Sequence, residues 1–256
     1  MEIVLIGSGN IATHLGLALQ SQGIVIKQVY SRNADNAEKL ATRLGTSFVT
    51  GISNLYMNAD IYIFALKDSA LKSVLRKMNI PDGILVHTAG SVPMSDFDGF
   101  TTRSGVLYPL QSFSIQKEID FSNVPICIEA SNSEIQETLV NLAKLLTDKI
   151  YIINSERRKK IHLAAVFACN FTNYMYDITA QILDESSIGF EIMQPLIAET
   201  ADKVKRLSPY HAQTGPAVRF DEKTIARHLS MLSYNREFRK IYKLLSKSIY
   251  KRHQKL

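Results

Sequence analysis

The sequence predicts an α/β protein: a doubly wound, mostly parallel sheet followed by an all-α domain. Three observations carry this. An apolar run, Ile3-Val4-Leu5-Ile6, joins directly to Gly7-Ser8-Gly9-Asn10-Ile11-Ala12 and then to a helical apolar period through Leu15, Leu17, Ala18 and Leu19. Short apolar runs then alternate with helical patterns as far as Ile153, as parallel strands joined by crossover helices require. Beyond Ile153 only helical spacing remains. The expected domains are therefore 1–153 and 154–256.

The first element is a strand–turn–helix. In the Gly-x-Gly-x-x-Ala spacing, Gly7 permits the tight turn. Gly9 lets backbone approach a pyrophosphate, and Ala12 lets the helix pack near the strand. Ser8, Asn10 and Ile11 complete the turn, and the helix start offers free N–H groups to phosphate. Gly23 stands where a helix-ending glycine is expected. A second strand, Ile24–Tyr30, completes the dinucleotide-binding unit. NAD-binding units place a carboxylate at the end of that strand, about 20 residues past the glycines. Here the residues are Tyr30-Ser31-Arg32-Asn33. Ser31 can donate to a 2′-phosphate and Arg32 can pair with it, so NADP(H) is favoured over NAD(H). The plain alternative for Arg32 is a solvated arginine ahead of the next helix.

The following elements are a helix over Ala37–Leu44 closed by Gly45, a short strand Thr46–Val49, and a buried strand Ile61–Ala65. Asp68 is expected to cap a helix over Ala70–Met78. Strands follow at Gly83–His87, Gly105–Tyr108, Pro125–Glu129 and Lys149–Ile153, the last two flanking a helix over Glu134–Leu146. In the second half, Asn154-Ser155 caps a long helix reaching about Leu183. Others are expected over Pro195–Leu207, Glu222–Leu232 (capped by Asp221) and Arg236–Lys251.

Composition bounds the function. A length of 256 residues holds one large domain or two ordinary ones, and 46% apolar with 21% charged residues is ordinary for a globular protein. No run of about 18 apolar residues exists and the chain enters a strand at once, so neither a membrane span nor a signal peptide is expected. Two distant cysteines, Cys127 and Cys169, carry no metal-ligand spacing. A cytoplasmic, metal-free protein is the expectation. The net charge of +6 is concentrated: residues 236–256 hold eight Lys/Arg against one acid, Glu237, leaving −1 for the rest. That stretch also has an apolar stripe, Phe238, Ile241, Tyr242, Leu245 and Ile249. It is expected to pack one face and solvate the other; an acidic-partner or nucleic-acid patch is the sharper alternative.

Ligands of open parallel sheets bind beyond the carboxyl ends of the strands. Ala65, Leu66 and Lys67 are therefore expected beside the cofactor, with His87, Gly90 and Ser91 and the loop after Tyr108 nearby. The alternatives are a backbone-bonded His87 and a turn hydroxyl for Ser91. On the long helix His162, Val166, Asn170, Asn173 and Asp177 are spaced 4, 4, 3 and 4, one polar row among apolar neighbours. The row would face a substrate, a cofactor amide or another helix. His162 is the candidate proton donor for a reduced product, with Asn170 and Ser91 as catalytic companions. His87, Gly90, Asn173 and Arg219 are candidate substrate contacts. Arg219, in the loop Ala212–Asp221, could clamp a carboxylate or pair with Asp221.

Gly7–Ala12, His87-Thr88-Ala89-Gly90-Ser91, Tyr108–Phe113, His162–Asn173 and Thr214-Gly215-Pro216-Ala217-Val218-Arg219, with Asp221 and His228, together resemble the NADP oxidoreductases that join a Rossmann-like first domain to a helical second domain of unknown function. The fold is similar to that of pyrroline-5-carboxylate reductase and the β-hydroxyacid dehydrogenases. The resemblance implies NADP-dependent hydride transfer to a small polar carbonyl, hydroxy or imine compound, a site between two domains, and a homodimer through the helical domain. Two departures stand out. Tyr108 occupies a position where the family often has His. The helical Lys-x-x-x-Asn pair of the β-hydroxyacid dehydrogenases is absent, since His162 and Asn170 are eight apart. The alternative is a non-catalytic NADP(H)-binding sensor.

Overall fold

The computed structural model describes residues 1–254. The chain divides into two compact units, Met1–Asn170 and a second beginning at Phe171. The first is built on one eight-stranded sheet: β1 (Glu2–Ile6), β2 (Val25–Tyr30), β3 (Ser47–Val49), β4 (Ile61–Phe64), β5 (Ile84–His87), β6 (Ser104–Pro109), β7 (Ile126–Ala130) and β8 (Ile150–Ile152). The spatial order is β3-β2-β1-β4-β5-β6-β7-β8. All neighbours are parallel except β6 and β7. The order reverses between β1 and β4, and that switch point opens the crevice where such sheets bind ligands.

Alternation explains the two cores. Ile3 and Leu5 of β1 enter one buried cluster, Val4 and Ile6 the other. Side chains of a strand point to opposite faces, so a strand apolar at every position needs cover on both. Helices α1 (Asn10–Ser21), α2 (Ala34–Leu44) and α4 (Ser133–Lys144) line the first face, with α3 (Leu71–Leu75) on the second. Gly45 ends α2 in the left-handed region at φ 58°, as its glycine predicts. Asn33 caps the same helix by accepting from the Asn36 N–H, so it starts three residues before the expected Ala37.

One expectation fails here. Asp68 does not cap a helix over 70–78. It opens a 3₁₀ turn, Asp68–Ala70, with no side-chain cap, and the α-helix that follows is only Leu71–Leu75. The Asp68 carboxylate is engaged elsewhere, by Ser91.

Helix α5 (Ser155–Ala165) is capped by Asn154 as expected, its side chain accepting from the Arg157 N–H. The long helix is not uniform. Val166–Phe171 is π-helical before α6 (Thr172–Asp184) resumes. Hydrogen bonding at i→i+5 inserts an extra residue into the turn, so the 4-4-3-4 spacing cannot place His162 and Asn173 on one face. The chain also passes between units inside this segment.

The second unit is helical: α6, α7 (Gln194–Arg206), α8 (Pro209–Ala212), α9 (Pro216–Arg219), α10 (Glu222–Met231) and α11 (Arg236–His253). The stretch read as a loop over 212–221 contains the one-turn helix α9, started by Pro216 after Gly215 at φ 104°. Its buried centre is Ile178, Leu232 and Phe238, with Met175, Ile241 and Tyr242 against them. Thus α11 buries part of its predicted apolar stripe, while Leu245 stays exposed. Its lysines and arginines form no ion pair among the described residues. No described helix is long and apolar enough to cross a membrane.

Candidate active site

The glycine turn takes the form its spacing demands. Gly7 sits at φ 123°, and a Cβ there would lie 2.2 Å from the Ala65 carbonyl oxygen. Only glycine lets the turns after β1 and β4 close on each other. Gly9 forms the N-terminal boundary of α1 without a side-chain cap. No protein atom lies within 4 Å of a Cβ built on it. Unfilled N–H groups and that clearance are what a pyrophosphate needs. Ala12 is fully buried under the helix. The Asn10 side-chain amide donates to the Phe113 carbonyl at 2.7 Å, and His14 Nε2 lies 2.8 Å from the Ser114 carbonyl. The segment after β6 is thereby strapped to the first turns of α1, a feature the sequence did not reveal.

At the end of β2, Ser8 Oγ donates to Ser31 Oγ at 2.8 Å. Beside it, a cleft of about 220 Å³ is lined by Tyr30, Arg32, Ile52, Lys67, Ser69, Ala70, Ser73, Val74 and Lys77. Three cations, two serine hydroxyls and a tyrosine with no carboxylate suit a phosphate monoester and lack the carboxylate of NAD sites. Arg32 and Lys67 are legible in the sequence; Ser73 and Lys77 are not, because they fall inside the expected helix over Ala70–Met78 and carry no motif.

The next loops meet at a second cluster. The Ser91 hydroxyl donates to the Asp68 carboxylate, joining the ends of β4 and β5. Next to Ser91, Gly90 packs on the His162 ring: a Cβ at Gly90 would lie 2.6 Å from His162 Nδ1. His162 Nδ1 is 3.1 Å from the Tyr108 hydroxyl at the end of β6. Burial first, and the nearby Cys127 second, push the Tyr108 phenol up to about 12. Tyr108 therefore stays a hydroxyl, able to donate to neutral Nδ1 or to accept from it when the ring is charged. His162 Nε2 has no partner among the described residues.

A buried ion pair sets where His162 stands. Arg158, one turn earlier on α5, is wholly buried. It pairs with Glu129 of β7, and its second nitrogen donates to the Val92 carbonyl at 2.5 Å and to Ser155 Oγ at 3.2 Å. Ser155 Oγ in turn donates to Glu129 at 2.8 Å and accepts from the Met94 N–H at 2.9 Å. Helix α5 is thus locked to β7 and to the loop after β5.

The remaining candidates are His87, Asn170, Asn173 and Arg219. His87 is 1% exposed. Its Nδ1 accepts from the Ala89 N–H at 3.2 Å, which is the backbone-bonded alternative. Burial first, then the Arg158 charge, push it down to about 3, so it is neutral at physiological pH. Asn170 is exposed in the π segment, and Asn173 is exposed in the second unit. Arg219 ends α9, exposed. It forms no ion pair with Asp221, which caps α10 by accepting from the Thr224 N–H at 3.1 Å and hydroxyl at 2.9 Å.

A Gly-x-Gly-x-x-Ala turn at the switch point of a mostly parallel sheet is the arrangement of the dinucleotide-binding class of proteins. Residues 2–90 match the family of NADP oxidoreductases described as coenzyme F420-dependent. Residues 124–249 match the domain of unknown function DUF2520. A candidate NADP oxidoreductase from Bacteroides fragilis is 44% identical, with 98% of each chain covered and a TM-score of 0.92. The chain belongs to this NADP oxidoreductase family, and it is an enzyme that uses NADP. More distant likenesses show the fold. They include a 1-pyrroline-5-carboxylate reductase from Streptococcus pyogenes (13% identity, 98% of each chain, TM-score 0.65). Another is an imine reductase from Myxococcus stipitatus in complex with NADP+ (16% identity, 98% of this chain and 92% of that one, TM-score 0.66). No curated protein matches the chain.

Proposed function

We propose that the enzyme reduces a C=O or C=N bond of a small polar substrate, with His162 as proton donor. The observation that carries this is the Tyr108–His162 pair seated on Gly90 at the carboxyl edge of the sheet. Gly7–Ala12 would hold the pyrophosphate. Ser31, Arg32, Lys67 and Lys77 would hold the 2′-phosphate, and Ala65 and Leu66 would border the rest of the cofactor. When bound, NADPH supplies the hydride. His162 hands a proton to the reduced oxygen or nitrogen, as the product requires. Tyr108 fixes the ring in both protonation states, and its high pKa makes it an orienting group rather than the proton source.

The test of the cofactor site is affinity. Arg32→Ser should weaken NADPH by about 10–100-fold, the worth of a charge-assisted phosphate contact, and leave NADH unchanged. Fluorescence titration of both nucleotides reads this; equal losses for the two would place the 2′-phosphate elsewhere.

The helical unit also leaves large apolar side chains exposed, including Ile192 (60%), Leu196 (62%), Met231 (67%) and Leu244 (66%). We read these side chains as belonging to the face of a homodimer, since large exposed apolar side chains on a helical unit are commonly covered by a second copy. Light scattering should give twice the 28.7 kDa chain mass; a monomer at micromolar concentration contradicts it. The two unpaired cysteines, one buried and one exposed, fit a cytoplasmic location.

A further inference from the structure

We propose that Asp68 makes this site selective for a substrate that is cationic at its reacting nitrogen, an iminium ion, over a carboxylate-bearing carbonyl compound. This rests on the reading of Tyr108 and His162 as the reacting end of the site. Asp68 is exposed at the carboxyl end of β4. It does not cap its helix, and it makes no ion pair among the described residues. Among the described residues its hydrogen bond is with the Ser91 hydroxyl, which orients the carboxylate without neutralising it. Ser91 adjoins Gly90, and Gly90 carries the His162 ring. Asp68 is close enough to Tyr108 to act on its phenol electrostatically.

Arg158 acts on the same phenol in the opposite sense and ahead of Asp68, but its guanidinium is already committed. Arg158 is buried and paired with Glu129. Arg32, Lys67 and Lys77 line the separate cleft at the end of β2. The edge therefore carries three cations where a phosphate belongs and an exposed carboxylate without an ion pair on the loop beside His162. A carboxylate brought to the second place would meet repulsion, whereas an iminium would meet an unpaired counter-charge.

The chemistry balances. The iminium carbon accepts the hydride from the reduced nicotinamide, which is oxidised. A C–H bond forms and the C=N π pair moves to nitrogen, giving a neutral amine. His162 gives its proton to the imine nitrogen first, forming the iminium that Asp68 favours, so hydride transfer waits on His162 and itself consumes no proton.

The test uses full-length protein saturated with NADP+. Calorimetric titration compares pyrrolidine, an ammonium ion at neutral pH, with cyclopentanecarboxylate. Wild type should prefer pyrrolidine, and Asp68→Asn should weaken it by about 10–100-fold without weakening the carboxylate or NADP+. Ser91→Ala, which frees the carboxylate without removing it, should show a smaller loss. An unchanged affinity ratio in Asp68→Asn, a wild type that prefers the carboxylate, or one that binds neither probe overturns the proposal. None of these touches the reductase reading, which falls separately if NADP+ fails to bind or if His162→Ala leaves turnover of 1-pyrroline intact.

Discussion

His162→Ala should lower turnover by about 10²–10⁴-fold, the usual worth of a positioned general acid, while NADPH affinity is unchanged. The ring lies at the second cluster, away from the cationic cleft that would take the 2′-phosphate, and removing it opens space beside Gly90 without stranding a buried charge. Tyr108→Phe keeps the ring packing and loses only the 3.1 Å hydrogen bond. About two- to tenfold is expected, as for one neutral hydrogen bond. Stopped-flow single turnover separates these losses from cofactor binding. A His162→Ala enzyme that retains its chemical step would remove histidine from the mechanism.

Arg158→Met should cost about 3–5 kcal/mol of stability, the range for breaking one side of a buried pair. Met matches the length of the arginine stem but leaves the Glu129 carboxylate with Ser155 and no counter-ion, and the Val92 carbonyl without the guanidinium donor. Denaturant unfolding of the first transition measures it. The companion change Glu129→Gln removes the uncompensated charge, so the double variant should recover part of the loss, and the cycle gives the coupling. Turnover should also fall, because Arg158 and His162 lie one helical turn apart and share the anchorage of α5. An Arg158→Met protein as stable as wild type would mean that the pair does not hold the helix.

What was legible in the sequence was local. Gly7, Gly9 and Gly45 announce their turns because backbone geometry leaves little choice, and apolar runs such as Ile61–Phe64 announce strands covered on both faces. Two helix starts were legible for the same reason: Asn154 and Asp221 are caps that act within three residues. What stayed hidden was tertiary. Arg158 sits in the run Arg157-Arg158-Lys159-Lys160, which reads as a solvated face; only the fold brings Glu129 to one member of it. The Tyr108–His162 contact joins residues 54 apart, and no spacing rule reports it. Asp68 followed the composition of a cap, yet Ser91, reached through the adjacent strand, claims its carboxylate. The π turn leaves no side-chain signature, so a polar row that looked continuous across 162–177 was broken.

The central claim is that one sheet edge carries the cofactor's phosphates at one end and its reacting ring at the other. A crystal structure of the protein with NADP+ tests it most directly. The account predicts the 2′-phosphate among Arg32, Lys67 and Lys77, and the nicotinamide facing Tyr108 and His162 across a substrate-sized gap. A 2′-phosphate away from those cations, or a nicotinamide turned from His162, would contradict it.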